Sequence, residues 1–384
     1  MATKRSIFEE VGAGTKPAPV PSGGLIDGRK GARGAIRLWL VAIFLLVAAM
    51  IVVGGMTRLS DAGLSITEWK PVTGAIPPMN DAAWGVEFDK YKATPQFALM
   101  NSQMTLEEFK SIFWWEWGHR QLGRLIGMVW LVGFTVFLLA RKIPAGWTGR
   151  LFGLGVLGGA QGAIGWWMVS SGLTGSMVSV ASYRLAVHLG IAFVILGLSA
   201  WYVLLLGRTE TELMQARRAG ERKLKGMGTG LMHLAFVQVL LGALVAGIDA
   251  GRAFPTWPDM NGSFFPADAF YLPEGGGLWR AFFENPGLVQ FNHRIVGYLL
   301  FIFGIGAYFA ARKSPYLATR RAFLAVAVML LAQVTLGIFT ALTGAHLHVA
   351  ITHQIGAVIL WVLILRARHL AIYPVQGSIR EGRA

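Results

Sequence analysis

His119 and Arg120 lie in the stretch EWGHRQLGRLIG, and His293 and Arg294 lie in VQFNHRIVGY. Each histidine is followed by an arginine and, four residues on, by a glycine, Gly123 or Gly297. A second pattern recurs as VHLG around His188 and THQIG around His353. The chain contains no cysteine, which excludes disulfides, thiolate metal sites, covalent CxxCH haem attachment and a cysteine nucleophile. Imidazole is then the soft ligand available. Two histidines facing each other across a helical bundle suit bis-imidazole ligation of a flat macrocycle, one on each face of the iron. Two such pairs, His119 with His188 and His293 with His353, make two sites.

One position breaks the repetition. Glu116 stands three residues before His119, and the matching residue before His293 is Gln290. Residues at i and i+3 share a helix face, so the carboxylate lies beside a ligating histidine in one copy only. A carboxylate can accept a proton or steady a developing positive charge; an amide cannot. The difference suggests that one half uses its site for reaction and the other for electron transfer. The plainer readings are a helix-start acid favoured by the dipole and histidines that are ordinary satisfied polar groups. Duplication at matched positions raises the four histidines above that reading. Arg120, Arg294 and Arg124 are candidate partners for haem propionates, with snorkelling to the membrane interface as the plainer role. His233, His346, His348 and His369 have no counterpart in the other half. His346 and His348 fall in an outer turn, where contact with an electron donor or a haem edge competes with simple solvation.

These residues need elements to carry them. Of 384 residues, 54% are hydrophobic and 14% charged, a balance for a polytopic membrane protein rather than a soluble globule. No charge falls between Arg37 and Arg58, about the 20 residues a helix needs to cross a bilayer. Further apolar runs lie near 121–140, 150–170, 184–206, 228–248, 292–311, 321–343 and 349–366. The spacing predicts eight transmembrane helices. The net charge of +15 does not read as a nucleic-acid surface, because the basic residues cluster in alternate connections. Arg141, Lys142 and Arg150, then Arg208 to Lys225, then Arg312 to Arg321, then Arg366 and Arg368 all fall on one side with the basic first segment. The positive-inside rule makes that side cytoplasmic, with both termini. In the long outer loop, Asn80 and Thr105 are plausible helix caps, and Thr105 with Glu108 fits a capping box ahead of FKSIFWWEW. Short interfacial helices are expected there.

Other blocks repeat in the same order. DAGLSITEWKPVTGAIPP from Asp61 matches DAGRAFPTWPDMNGSFFP from Asp249, and Gln161 and Gly165 match Gln333 and Gly337. The chain is a duplicated unit. Each half has an even number of helices, so the halves share one orientation about an axis along the membrane normal. The expected fold class is all-α, two tandem four-helix bundles side by side. The expected divisions are a disordered basic tail over 1–37, an N-terminal half over 38–206 and a cytoplasmic linker over 207–227. A C-terminal half over 228–366 and a tail over 367–384 complete the chain.

The ordered set GGMTRLSDAGLSITEWKPVTGAIPP, FWWEWGHRQLGR, YRLAVHLG, NHRIVGY and THQIG resembles haem A synthase, in its proteobacterial and mitochondrial branch. The resemblance covers nearly everything beyond the first segment. It implies an inner-membrane oxidoreductase that turns the C8 methyl of haem O into a formyl group through hydroxylated intermediates, giving haem A for terminal oxidases. It implies that His293 and His353 hold a haem b cofactor, and that His119 and His188, with Arg120 and Arg124, line the substrate haem site. Glu116 matches the family's functional carboxylate, and a haem O synthase is the expected donor of substrate. Some bacterial members carry cysteine pairs in the outer loops; this chain has none, so thiol chemistry is out. The electron acceptor is not legible. Two rivals stand beside this reading: a di-haem b-type electron-transfer protein, which four equivalent histidines also suit, and a parallel-repeat transporter. The transporter would want polar groups at mid-membrane, where Gln161 and Gln333 are the duplicated hint.

Overall fold

The computed structural model describes residues 32–375, apart from Ser176, Glu274 and Gly276. In chain order the helices are α1 (Arg33–Leu59), α2 (Asp81–Lys92), α3 (Pro95–Met100), α4 (Leu106–Leu139), α5 (Thr148–Ser171), α6 (Ser182–Leu206) and α7 (Glu210–Arg218). Then come α8 (Arg222–Gly247), α9 (Ala250–Ala253), α10 (Leu278–Glu284), α11 (Pro286–Ala311), α12 (Leu317–Leu342) and α13 (Leu347–Ile372). The eight long helices are those the hydropathy predicts. Seven of them are long and apolar enough to cross a membrane by length and composition. The eighth, α5, has the same length class, but its glycines, Gln161 and paired tryptophans dilute its hydropathy.

The outer loop carries α2 and α3, as its caps predict. The Asn80 side chain accepts from the Ala83 N–H, and Thr105 and Glu108 form a reciprocal capping box. That box does not open a separate interfacial helix. It starts α4, which runs unbroken through FWWEWGHRQLGR into the membrane, so the second long helix begins fifteen residues earlier than its apolar run. Nothing in the stretch breaks the helix. Its outer turns are stabilised by tertiary burial, because Phe109 and Phe113 pack with Trp84, Phe88 and Tyr91 of α2.

Other boundaries shift for similar reasons. Most of the expected tail, 1–31, lies outside the described residues, but Arg33 to Arg37 are helical. Arg33 donates to the carbonyls of Leu205 and Arg208, and Arg37 to that of Val203. The expected linker is largely helical, containing α7 and the start of α8, and α13 continues six residues past the expected end of its half.

Within the first half, α1 packs on α4 and α6, and α5 packs on the same two helices. The helices α4 and α6 therefore stand at opposite corners of a square. The second half repeats this, with α11 and α13 at opposite corners between α8 and α12. The halves meet through their first and fourth helices, α6 packing on α8 and α13, and α1 packing on α13. One apolar core spans the junction, including Leu40, Ile43, Phe193, Leu196, Trp361 and Ile364.

Close approach relies on tryptophan set into glycine. The indoles of Trp39, Trp130 and Trp361 lie against Gly133, Gly155 and Gly197, where a Cβ would collide with the ring. Each indole N–H donates to the carbonyl one helical turn earlier, at Val129, Leu151 and Phe193 respectively. The bulky ring fills the notch and its polar atom is satisfied in a medium without water.

The first helix of each half ends alike, with Asp61 and Asp249 in the left-handed region at φ 51° and 53°. Arg58, whose side chain is 12% exposed, pairs with both carboxylates, at 2.9 Å to Asp61 and 2.8 Å to Asp249. The symmetry-matched residue is Ala246, so one arginine ties the halves together. Replacing Arg58 with Met removes the cation the two carboxylates share, leaving Asp249 only the longer contact to Arg252 at 3.9 Å. The expected cost is about 1–3 kcal/mol, discounted for the partial exposure of both acids. Thermal unfolding of the detergent-solubilised protein measures it; an unchanged midpoint would show that apolar packing alone joins the halves.

Candidate functional site

His188, His293 and His353 stand two turns inside the N-termini of α6, α11 and α13, whereas His119 lies deep within the longer α4. Measured from the other ends the four agree. They precede Leu139, Leu206, Ala311 and Ile372 by 18–20 residues, about 27–30 Å at 1.5 Å per residue. The four imidazoles thus share one depth, close to one face of a hydrocarbon layer about 30 Å thick. The diagonal placement of their helices turns them toward each other within each bundle.

Each ring rests on a glycine of a neighbouring helix. A Cβ on Gly54 would stand 3.1 Å from His119 Nε2, and one on Gly165 would stand 2.9 Å from His188 Cε1. In the second half the corresponding approaches are 3.1 Å from Gly242 to His293 and 3.3 Å from Gly337 to His353. Gly54 matches Gly242 in the duplicated register, and Gly165 matches Gly337. The Nδ1 atoms of His188, His293 and His353 are buried without a hydrogen-bond partner. Buried polar atoms are rarely left so, and an unpartnered imidazole nitrogen is what iron ligation uses. The residues present fit a bis-imidazole haem in each bundle.

The glycine after each His-Arg pair now has a role. Gly123 seats Met50, and Gly297 seats Gln238, at matched positions on α1 and α8. Gln238 Nε2 donates to the His293 carbonyl at 3.0 Å and lies 3.3 Å from His293 Nε2. Met50 can do neither for His119. The other duplicated glutamines also part company. Gln161 donates to the His188 carbonyl at 2.9 Å, while Gln333 lies against Gly356 with its Nε2 unsatisfied. These glutamines serve the histidines and the helix packing, not a mid-membrane path. Of these residues only Gly54 falls in a quoted motif, as the first residue of GGMTRLS; the Asp61–Asp249 register, extended seven to eleven residues upstream, contains Gly242, Met50 and Gln238 as well.

Glu116 is 3% exposed. One carboxylate oxygen accepts from Ser65 Oγ at 2.7 Å and from the Ile66 N–H at 2.8 Å, and the other from Arg120 at 2.6 Å. Arg120 also donates to the carbonyls of Ile66 and Glu68. Gln290 and Arg294 repeat the clamp, Arg294 bonding Gln290 Oε1 at 3.1 Å and the carbonyls of Phe254, Thr256 and Asp259. Arg120 and Arg294 thus hold outer loops down onto the bundles, bonding loop carbonyls as well as the Glu116 or Gln290 side chain. Arg124 is likewise bonded to Lys70 and Pro71 carbonyls, but its Nη1 is buried and unpartnered. Above this clamp Trp69 of the loop meets Trp166 of α5 edge-on, with centroids 5.3 Å apart.

The loop is further tied by charge. Hydrogen bonds from Lys70 and Lys90 hold the Glu68 carboxyl down at about 2. A depressed carboxylate stabilises above its unfolded value, so this tie is complete above about 4.5 and is lost only as pH falls toward 2.

Among the remaining histidines, His233 is exposed on α8, and His369 is buried against Trp201 at the far end of α13. His346 stands at the N-cap of α13 and His348, expected in the outer turn, lies in the first turn of that helix, with the two ring centroids 5.5 Å apart.

Residues 37–365 match the model of the COX15-CtaA family, described as cytochrome oxidase assembly protein. The chain belongs to this family. Relatives in the COX15-CtaA family agree over their whole length. A protein of Cereibacter sphaeroides is 62% identical over 386 residues, covering 99% of this chain and 98% of its own. One of Paracoccus denitrificans is 62% identical, with 98% of both chains covered. One of Ruegeria pomeroyi is 61% identical, covering 99% of this chain and 100% of its own. All three bear the name Heme A synthase.

Proposed function

We infer that the chain is a haem A synthase, a multi-pass membrane oxidoreductase that converts the C8 methyl of haem O to the formyl group of haem A. The observation that carries this reading is the pair of histidine cradles that differ in their surroundings. Both bundles can take a haem between two imidazoles, but only the first sets a carboxylate, Glu116, on the turn before its histidine. Full-length identity to haem A synthases supports the same conclusion.

In this reading the first bundle takes haem O between His119 and His188. The second holds haem b between His293 and His353, where Gln238 steadies the His293 ring. Bound there, haem b supplies a relay for electrons leaving toward an acceptor outside the protein. Two hydroxylations of the same carbon give a geminal diol, which loses water to leave the formyl group. Removing hydride or electrons from a methyl conjugated to the porphyrin leaves positive charge, which the Glu116 carboxylate steadies; water adds to that carbon as hydroxyl at each hydroxylation, and Glu116 accepts the proton the water releases. Arg120 holds Glu116 in place and fixes the Ser65–Glu68 loop over the site. Trp69 and Trp166 limit water there. Arg124 offers its spare Nη1 to a propionate.

The basic connections support a cytoplasmic position for their end of the molecule and for both termini. The histidines then open toward the periplasmic side of the inner membrane, where a haem O synthase in the same bilayer would hand over substrate.

The test is chromatography and mass analysis of haems extracted from membranes that make haem O, with and without this protein. Appearance of haem A or hydroxylated haem O is expected. Haem O left unchanged, in a preparation with a bis-imidazole spectrum, would establish the electron-transfer rival instead.

A further inference from the structure

The basic end of the second bundle carries a groove that the haem chemistry does not use. It opens between α8 and α11 as two adjoining hollows of about 610 and 540 Å³. Arg222 and Lys223 line both, and Lys313 lines the second. Deeper along the helices the walls turn apolar, with Met227, Phe303 and Phe309. Two glycines create the space: a Cβ built on Gly226 or Gly306 meets nothing within 4 Å. Phe303 is seated on Gly230 and forms a fixed wall. Glu221, the acid of this lining, accepts from Ser314 Oγ at 2.8 Å. Among the described residues, Arg222, Lys223 and Lys313 form no ion pair.

An open groove, apolar at one end and carrying three cations against the single carboxylate of Glu221 at the other, on helices that cross a membrane, is matched to an amphiphile with an anionic head. We propose that the groove binds one anionic phospholipid. Its phosphate sits on Arg222, Lys223 and Lys313, and an acyl chain runs along Met227, Phe303 and Phe309. Charge complementarity selects this occupant. A zwitterionic lipid would bring its own cation to the same three side chains. A free phosphate would satisfy the cations but leave the apolar hollow unfilled.

The experiment is native mass spectrometry of the full chain in an uncharged detergent, titrated with dioleoyl-phosphatidylglycerol or dioleoyl-phosphatidylcholine. One phosphatidylglycerol is expected to remain bound where phosphatidylcholine does not. Lys223→Gln and Lys313→Gln should each weaken retention about fivefold, and salt should weaken it further. Gly306→Leu fills the hollow without meeting a neighbour at its Cβ, and should reduce retention while leaving the thermal midpoint unchanged. Equal retention of the two lipids, or undiminished retention in the double lysine variant, would overturn the proposal. So would displacement of bound lipid by glycerol 1-phosphate as readily as by phosphatidylglycerol, since the hollow would then contribute nothing.

Discussion

His293→Ala is expected to yield a folded protein that has lost the haem proposed for the second bundle. The His293 ring rests on Gly242 at the wall of a cradle rather than in the packed core, and Gln238 bonds the backbone carbonyl of residue 293, which the substitution keeps. Helix α11 is therefore retained, anchored by Asn285 at its cap and by Arg294 on the outer loop. In the proposed reading the haem iron would lose a direct ligand, and the remaining imidazole of His353 would not close the site alone. Loss of an outer partner of a metal ligand costs about 10–100-fold in affinity, and loss of the ligand itself exceeds that. The absorption spectrum and haem content of the purified variant measure the effect. His119→Ala is the companion: it should keep the bis-imidazole spectrum and lose conversion. An unchanged spectrum in His293→Ala would sink the assignment of the second bundle as the cofactor site.

Glu116→Gln is expected to keep the second-site haem and lose conversion by about 10²–10⁴-fold, the range for a positioned acid–base group. The protein already contains the amide version of this clamp, since Gln290 bonds Arg294 and reaches the Phe254 carbonyl. The helix and its arginine therefore tolerate the change. The first half is less forgiving locally. Ile66 N–H and Arg120 both donate to Glu116, through different oxygens. A Gln has one acceptor oxygen and must leave one of those donors unpaired. A purely structural Glu116 would then show itself as a loosened Ser65–Lys70 loop, read by chymotryptic cleavage after Trp69. Slow turnover with the loop still protected identifies chemistry. Normal turnover in Glu116→Gln would remove the carboxylate from the mechanism.

Much of the molecule is legible in the pattern of its residues. A bilayer forces backbone groups to pair within each segment, so apolar length translates directly into helices. Duplication supplies the symmetry: matched histidines, matched aspartates at the helix ends, and one orientation for both halves. The Thr105–Glu108 cap is legible because capping is local chemistry. What hydropathy does not give is the length of α4, whose outer turns are polar and aromatic and are held by packing on α2. Nor does it give the fate of the arginines. A sequence shows a cation beside a histidine, and a propionate is the natural guess. Which acceptor it meets depends on how a loop fifty residues away folds back, and the carbonyls of Ile66 and Glu68 take Arg120.

By itself the sequence determined the eight helices, their duplication and the residue types able to grip a haem, because composition and periodicity are properties of the chain. Only the tertiary structure decided which helices stand diagonally opposite, which glycines receive each imidazole, and that Gln238 but not Met50 supports its histidine. Those relations join residues far apart in sequence. They are set by side-chain volume at helix crossings, where a missing Cβ on one helix becomes the space for a ring on another.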